Sequence, residues 1–186
     1  MPATAASPSA ATRATADALA RGTATTLRAA MSRREQITMT EPEVAALLVE
    51  EQTVICATNG HDDWPHLMPL WFVVRDGELW SWTYARSQKV SNLERDDRCS
   101  LQVEAGDDYQ ELRGVLIKAH AVIHRDTDVV ATLGSEILGR YTPAGDGELT
   151  PEVSEMVQRQ ASKRVGLQFV ERARASWDHR KLAGTY

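Results

Sequence analysis

Long apolar runs are missing from this chain. No stretch approaches the roughly 18 consecutive apolar residues that a membrane-spanning helix needs, so no membrane partner is expected. Cysteine is scarce: Cys56 and Cys99 are the only two, and they stand far apart in strand-like runs. They make neither a CxxC site nor a disulfide framework, and are expected to be reduced core thiols of a cytoplasmic protein. Positive charge is in deficit, with 21 Lys and Arg against 26 Asp and Glu and a net charge of −5. That argues against broad binding to nucleic acid, while leaving room for a local basic pocket that takes a small polyanion. Metal-ligand spacing is absent too. His120 and His124 alternate onto one strand face, but no third ligand has suitable spacing, so no metal is expected. No nucleophile–base pair stands out, and no catalytic side chain is assigned.

What is present suits one domain. The hydrophobic share of 42% is enough to bury a core without disulfides or metal staples. Met1 to Ala30 is dominated by Ala, Thr and Ser and has almost no large apolar side chains to offset the entropy of ordering. Residues 1–38 are therefore expected to be a disordered extension or a segment upstream of the true start, and 39–186 to be the folded domain. There, Thr40-Glu41-Pro42-Glu43 is a capping box opening a short amphipathic helix through Val44, Leu47 and Leu48. Strands are predicted over Thr53 to Thr58, His66 to Val74, Glu78 to Tyr84, Cys99 to Val103, Gln110 to His124 and Arg164 to Val170. Asn59-Gly60 and Asp76-Gly77 are turn pairs. Helical segments are expected near Thr127 to Gly139 and from Thr150, joined by the Gly/Pro loop Thr142 to Gly147. Six mostly antiparallel strands with short helices between them do not suit a parallel βαβ sheet. They point to a mainly β fold, a six-stranded antiparallel split β-barrel with peripheral helices.

Two stretches stand out. Leu67 to Val74 is apolar on both faces, whereas one face of an antiparallel strand normally meets water. It needs the core on one side and a second subunit, a flat ligand or a thick core on the other, and Pro69 marks an edge or a bulge. Trp80, Trp82 and Tyr84 line one face of the next strand, either as plain packing or as a surface for a planar ring. That strand runs into a helix with Ser87 as its expected N-cap. Free N–H groups at a helix start attract anions. Arg86 and Lys89, three apart, are expected to share one side, and Thr83 and Ser87 add hydroxyls. The stretch is either a phosphate cradle or a solvated basic helix start.

The order strand, Thr, Ser-x-Lys, helix, Asn-Leu-x-x-Asp-x-Arg and alternating strand, here Ser87-Gln88-Lys89 to Asn92-Leu93-Glu94-Arg95-Asp96-Asp97-Arg98, resembles the pyridoxamine 5′-phosphate oxidase-like split-barrel superfamily. Within it the chain looks most like the branch of flavin/deazaflavin oxidoreductases that use coenzyme F420. The resemblance implies an FMN-binding split-barrel type of fold and a homodimer with cofactor sites at the subunit interface. Met68, Pro69, Leu70 and Trp71 would line the cofactor ring, with Trp82 beside them. Thr83, Ser87, Gln88 and Lys89 would hold its phosphate, with Arg86 nearby. Trp177, in the tail Ser176 to Leu182, would plug the pocket, contact the partner or simply pack. FMN-using members carry a basic pair on the strand before the Thr strand, and here that strand reads Pro65-His66-Leu67-Met68-Pro69-Leu70-Trp71. The implied activity is hydride transfer from coenzyme F420 to a small organic substrate. FMN-dependent chemistry, or a non-catalytic carrier of flavin, deazaflavin or haem, are the alternatives.

Overall fold

The computed structural model describes residues 32–141 and 149–182. The expected loop over 142–147 and most of the expected N-terminal extension lie outside those residues. The first elements among the described residues are α1 (Arg33–Ile37) and α2 (Glu41–Glu50). Then come β1 (Thr53–Asn59), β2 (Pro65–Arg75), β3 (Glu78–Tyr84), α3 (Gln88–Arg95) and β4 (Arg98–Ala105). A 3-10 turn (Tyr109–Glu111) precedes β5 (Arg113–His124), followed by α4 (Thr127–Tyr141), α5 (Pro151–Ala161), β6 (Arg164–Asp178) and a closing 3-10 turn (His179–Leu182). Helix α1 lies inside residues 1–38, so order begins earlier than the expected boundary. Ser32 and Glu35 form a capping box that fixes its first turn.

The strands close into an antiparallel barrel in the order β1-β2-β3-β6-β5-β4. Residues directly opposite on paired strands share a face, so the register sorts inside from outside. Val54, Cys56 and Thr58 of β1 face inward with Cys99, Leu101 and Val103 of β4. Val115, Ile117, Ala119 and Ala121 of β5 join Val165, Leu167 and Phe169 of β6 there. Phe72 and Phe169 are fully buried, each contributing about 1.5–3 kcal/mol of transfer free energy. Helix α2 buries Val44, Leu47 and Leu48 against the same core. Asp76 and Gly77 both take positive φ (51° and 82°) in a two-residue hairpin between Arg75 and Glu78, the mirror-image turn that matches strand twist.

The two-faced strand finds its second cover only over part of its length. Val73, on the outer face of β2, packs under Leu133 and Ile137 of α4. Arg140 of α4 welds this layer to α2 by donating to the carbonyl oxygens of Phe72 (3.0 Å), Leu48 (2.6 Å) and Glu51 (2.9 Å). The earlier half of β2 keeps Leu67, Met68 and Trp71 in the open.

Candidate functional site

Strand β2 pairs with β1 along Pro65 to Trp71, but with β3 only from Phe72 to Arg75. The far half of β3, Trp82 to Tyr84, pairs with β6 alone. The barrel is therefore split between the first half of β2 and the last half of β3, and Pro69 sits where β2 has a free flank, as a residue without an N–H requires. Helix α3 starts from the end of β3, at the mouth of this split.

Ser87 is the N-cap of α3, with extended φ/ψ of −76° and 151°, yet its side chain caps nothing. Its Oγ is buried without a hydrogen-bond partner. An N-cap serine ordinarily accepts from an N–H of the first turn; here the N–H groups of Gln88 and Lys89 have no backbone acceptor among the described residues. Lys89 is 5% exposed, and its Nζ donates to Thr83 Oγ1 at 3.0 Å. An ammonium has three protons to place. Burial pushes its pKa below the usual lysine value, opposed in part by the Cys56 thiol nearby. The neighbouring Cys99 thiol and the Lys89 charge hold the Cys56 pKa down against burial, while Cys99 Sγ donates to the Ala119 carbonyl oxygen at 3.7 Å. Asn92, fully buried, donates to Thr58 Oγ1 at 3.0 Å and accepts from Gln88 at 2.9 Å, tying α3 to β1. On the other wall, His66 Nδ1 is also buried and unpartnered. His66 and Gln88 line a cleft of about 440 Å³ with Gly60, His61 and Trp64. Arg95 holds the β1–β2 loop over α3 by donating to the carbonyls of Asn59 (2.5 Å) and Gly60 (2.8 Å).

The predicted site residues separate into two groups. Thr83, Ser87, Gln88 and Lys89 come together at the start of α3. Met68 and Leu70 follow His66 on one face of β2, opposite Cys56 and Val54 in register, and Met68 is 41% exposed because β3 has parted from it. Pro69 and Trp71 lie on the opposite face, where Trp71 packs its ring 4.9 Å from that of Tyr141. Trp82 also points away from Thr83: it is wedged beneath α4 against Gly134, with the Arg164 guanidinium 4.3 Å from its ring centroid. Trp80 stacks on His124 at 4.8 Å. The indole row therefore serves the helix layer, because strand alternation sends it to the face that α4 covers. Arg86 precedes the helix and is exposed while Lys89 is buried, so the two do not share a side. Trp177 lies over Gly114 at the other end of the barrel, where β6 meets the start of β5. The tail beyond it is fastened within the chain, Lys181 bonding Glu43 Oε2 at 2.6 Å. His66 is the residue that sequence reasoning missed. Its only signal was the alternation it shares with Met68 and Leu70.

A protein-family model described as pyridoxamine 5′-phosphate oxidase matches residues 40–176. The chain belongs to that family. No curated protein matches it in sequence. A conserved hypothetical protein from Mycobacterium tuberculosis is 40% identical, with 84% of this chain and 95% of that one covered and a TM-score of 0.74. An F420 reductase is 20% identical over 70% of this chain and 94% of its own, with a TM-score of 0.54. The haem storage protein HutZ from Vibrio cholerae is 14% identical over 74% and 96%, with a TM-score of 0.58. The last two likenesses are of fold. One of these relatives is a reductase named for the cofactor F420. Among the described residues no helix is long and apolar enough to cross a membrane.

The start of α3 fits the phosphate end of such a cofactor. A buried hydroxyl, a buried imidazole nitrogen and an ammonium with one partner each want a polar neighbour that the described residues do not provide. Leaving buried polar groups unmade costs about 1–3 kcal/mol apiece, which an anion's oxygens would recover.

Proposed function

We propose that this protein is an oxidoreductase that holds a phosphorylated flavin-type cofactor, coenzyme F420 rather than FMN, at the split between β2 and β3. The observation that carries this reading is the buried, unpartnered Ser87 Oγ at the N-cap of α3, two residues before the buried Lys89. The Ser87 hydroxyl and the first-turn N–H groups of α3 bind the phosphate, and Lys89 and the helix dipole balance its charge. Met68 and Leu70 supply apolar surface that excludes water, and His66 adds a polar contact. When bound, the deazaflavin supplies the hydride. The preference over FMN rests on β2, which offers His66, Met68 and Pro69 and no basic pair. The exposed strip of Leu67, Pro69 and Trp71 fits a second copy of the chain closing the split from outside, so the working unit is a homodimer.

The test is a titration of the purified protein with coenzyme F420 and with FMN, followed by spectroscopy. F420 is expected to bind more tightly, and its reduced form to be reoxidised by at least one of a panel of enones, quinones and nitro compounds. Binding of neither cofactor would end this reading. Tight binding with no acceptor turned over would make the protein a carrier.

A further inference from the structure

A second cleft, larger than the one beside α3, lies elsewhere. It has a volume of about 620 Å³ and opens on the outer face of β1, β4, β5 and β6. It shares Pro65 with the α3 cleft but lies on the other side of the β1–β2 hairpin. Its lining includes Arg98, Lys118, His120 and Arg172, together with the polar Asn59 and Ser100, and no carboxylate. In a protein of net charge −5 that is a concentration of positive charge. Two of the four basic groups are already matched at the rim: Arg98 by Asp96 at 2.7 Å and His120 by Asp97 at 2.9 Å. Lys118 and Arg172 have no hydrogen-bond or ion-pair partner among the described residues.

The backbone shows how Arg172 reaches this wall. His120 pairs with Val170 and Lys118 with Ala173, all on the outer face. Between them β5 carries one residue, Ala119, whereas β6 carries two, Glu171 and Arg172. Arg172 is the extra residue of a β-bulge, the device that re-aims a side chain without ending the ladder. The unshifted register would set Arg172 directly opposite Lys118; the bulge puts Ala173 there and leaves Arg172 as the extra residue next to that pair. On β4, Ser100 lies opposite Lys118 and Arg98 opposite His120, so the four strands present one compact cationic surface.

We propose that this cleft is a second anion site, separate from the α3 cradle, that takes a small organic polyanion through a phosphate or carboxylate group held by Lys118 and Arg172. A bidentate guanidinium and a point-charge ammonium are the usual pair for such groups, and the volume suits a small molecule.

Isothermal titration of the full chain with inorganic pyrophosphate and with citrate tests this and separates the two anion chemistries. Binding of either is expected, weakening steeply with added salt. Lys118→Ala and Arg172→Ala each should weaken it at least about tenfold, the scale of one charge-assisted hydrogen bond, and Arg172→Glu should abolish it. Both side chains are exposed and unpartnered, so the variants keep the fold, checked by thermal melting. The part of the binding that Lys118→Ala and Arg172→Ala weaken should persist in Lys89→Ala, whatever pyrophosphate the α3 cradle takes on its own. The proposal is overturned if neither anion binds, if the Lys118 and Arg172 variants bind as the parent does, or if Lys89→Ala removes the binding, which would place the anion in the cradle. Failure of F420 and FMN to bind would sink the redox reading and leave this site untouched.

Discussion

Lys89 is the residue on which the chemistry turns. Its ammonium is buried against Thr83 with one hydrogen bond, so in the free protein it costs stability. Lys89→Met keeps the stem and removes the charge. The variant is expected to melt no lower than the parent and to bind the phosphorylated cofactor about 1–3 kcal/mol more weakly, the scale of a charge-assisted hydrogen bond. Calorimetric titration and a thermal melt check the two halves separately. Ser87→Ala makes the same distinction with a neutral group. Removing a buried hydroxyl that bonds nothing is expected to leave the melting temperature unchanged or raised, while cofactor affinity falls by about 0.5–1.5 kcal/mol. A serine that merely supported the fold would give the opposite pattern.

At the scale of elements, two joints hold the layers. Helix α4 lies on β3 where Gly134 meets Trp82, and a Cβ there would stand 2.5 Å from Cζ3 of the indole. Arg164 lies over the same ring, so the indole has little room to retreat. Gly134→Ala is expected to lose about 1–3 kcal/mol by overpacking, read from urea denaturation. The second joint is the start of α2. Glu43 accepts from the Thr40 N–H at 2.6 Å and from Lys181 at 2.6 Å, and these contacts, Lys181 foremost, lower its pKa from 4.5 to about 2. A carboxylate held lower in the folded state than in the unfolded one stabilises the fold above pH 4.5, and that contribution disappears as pH falls through about 2. Glu43→Gln should therefore flatten the decline of melting temperature between pH 4.5 and 2, while lowering the melting temperature at pH 7. An unaltered acid profile would assign the contact no role.

For the whole molecule, the proposed dimer rests on the outer face of the first half of β2. Trp71 is 47% exposed although Tyr141 of α4 packs on part of its ring, and Leu67 on the same face is 57% exposed. Contiguous apolar exposure of this kind marks an interface. Sedimentation of the purified protein should give a dimer, and Leu67→Asp should give a monomer with weakened cofactor binding. A parent protein that sediments as a monomer at tens of micromolar would remove the dimer from the proposal.

Period-two alternation, one turn pair with both residues at positive φ, and Ser87 ahead of α3 were written locally, and so the six strands, the Asp76-Gly77 hairpin and the start of α3 were legible from the residues alone. Strand ends were less so. Strand β5 starts at Arg113 because a 3-10 turn takes Tyr109–Glu111, and β6 runs on to Asp178, its pairing carried past a bulge at Arg172 that alternation by itself hides. Asn59-Gly60 opens a five-residue loop rather than a two-residue turn, since Asn59 pairs with Pro65. Alternation says which side chains share a face, but not what covers it. Tertiary packing alone decided that α4 covers Trp82, that Trp177 rests on Gly114, and that Lys89 turns inward while Arg86 stays in solvent. It also decided that β2 and β3 part near the start of α3, leaving His66 Nδ1 and Ser87 Oγ buried without a hydrogen-bond partner among the described residues.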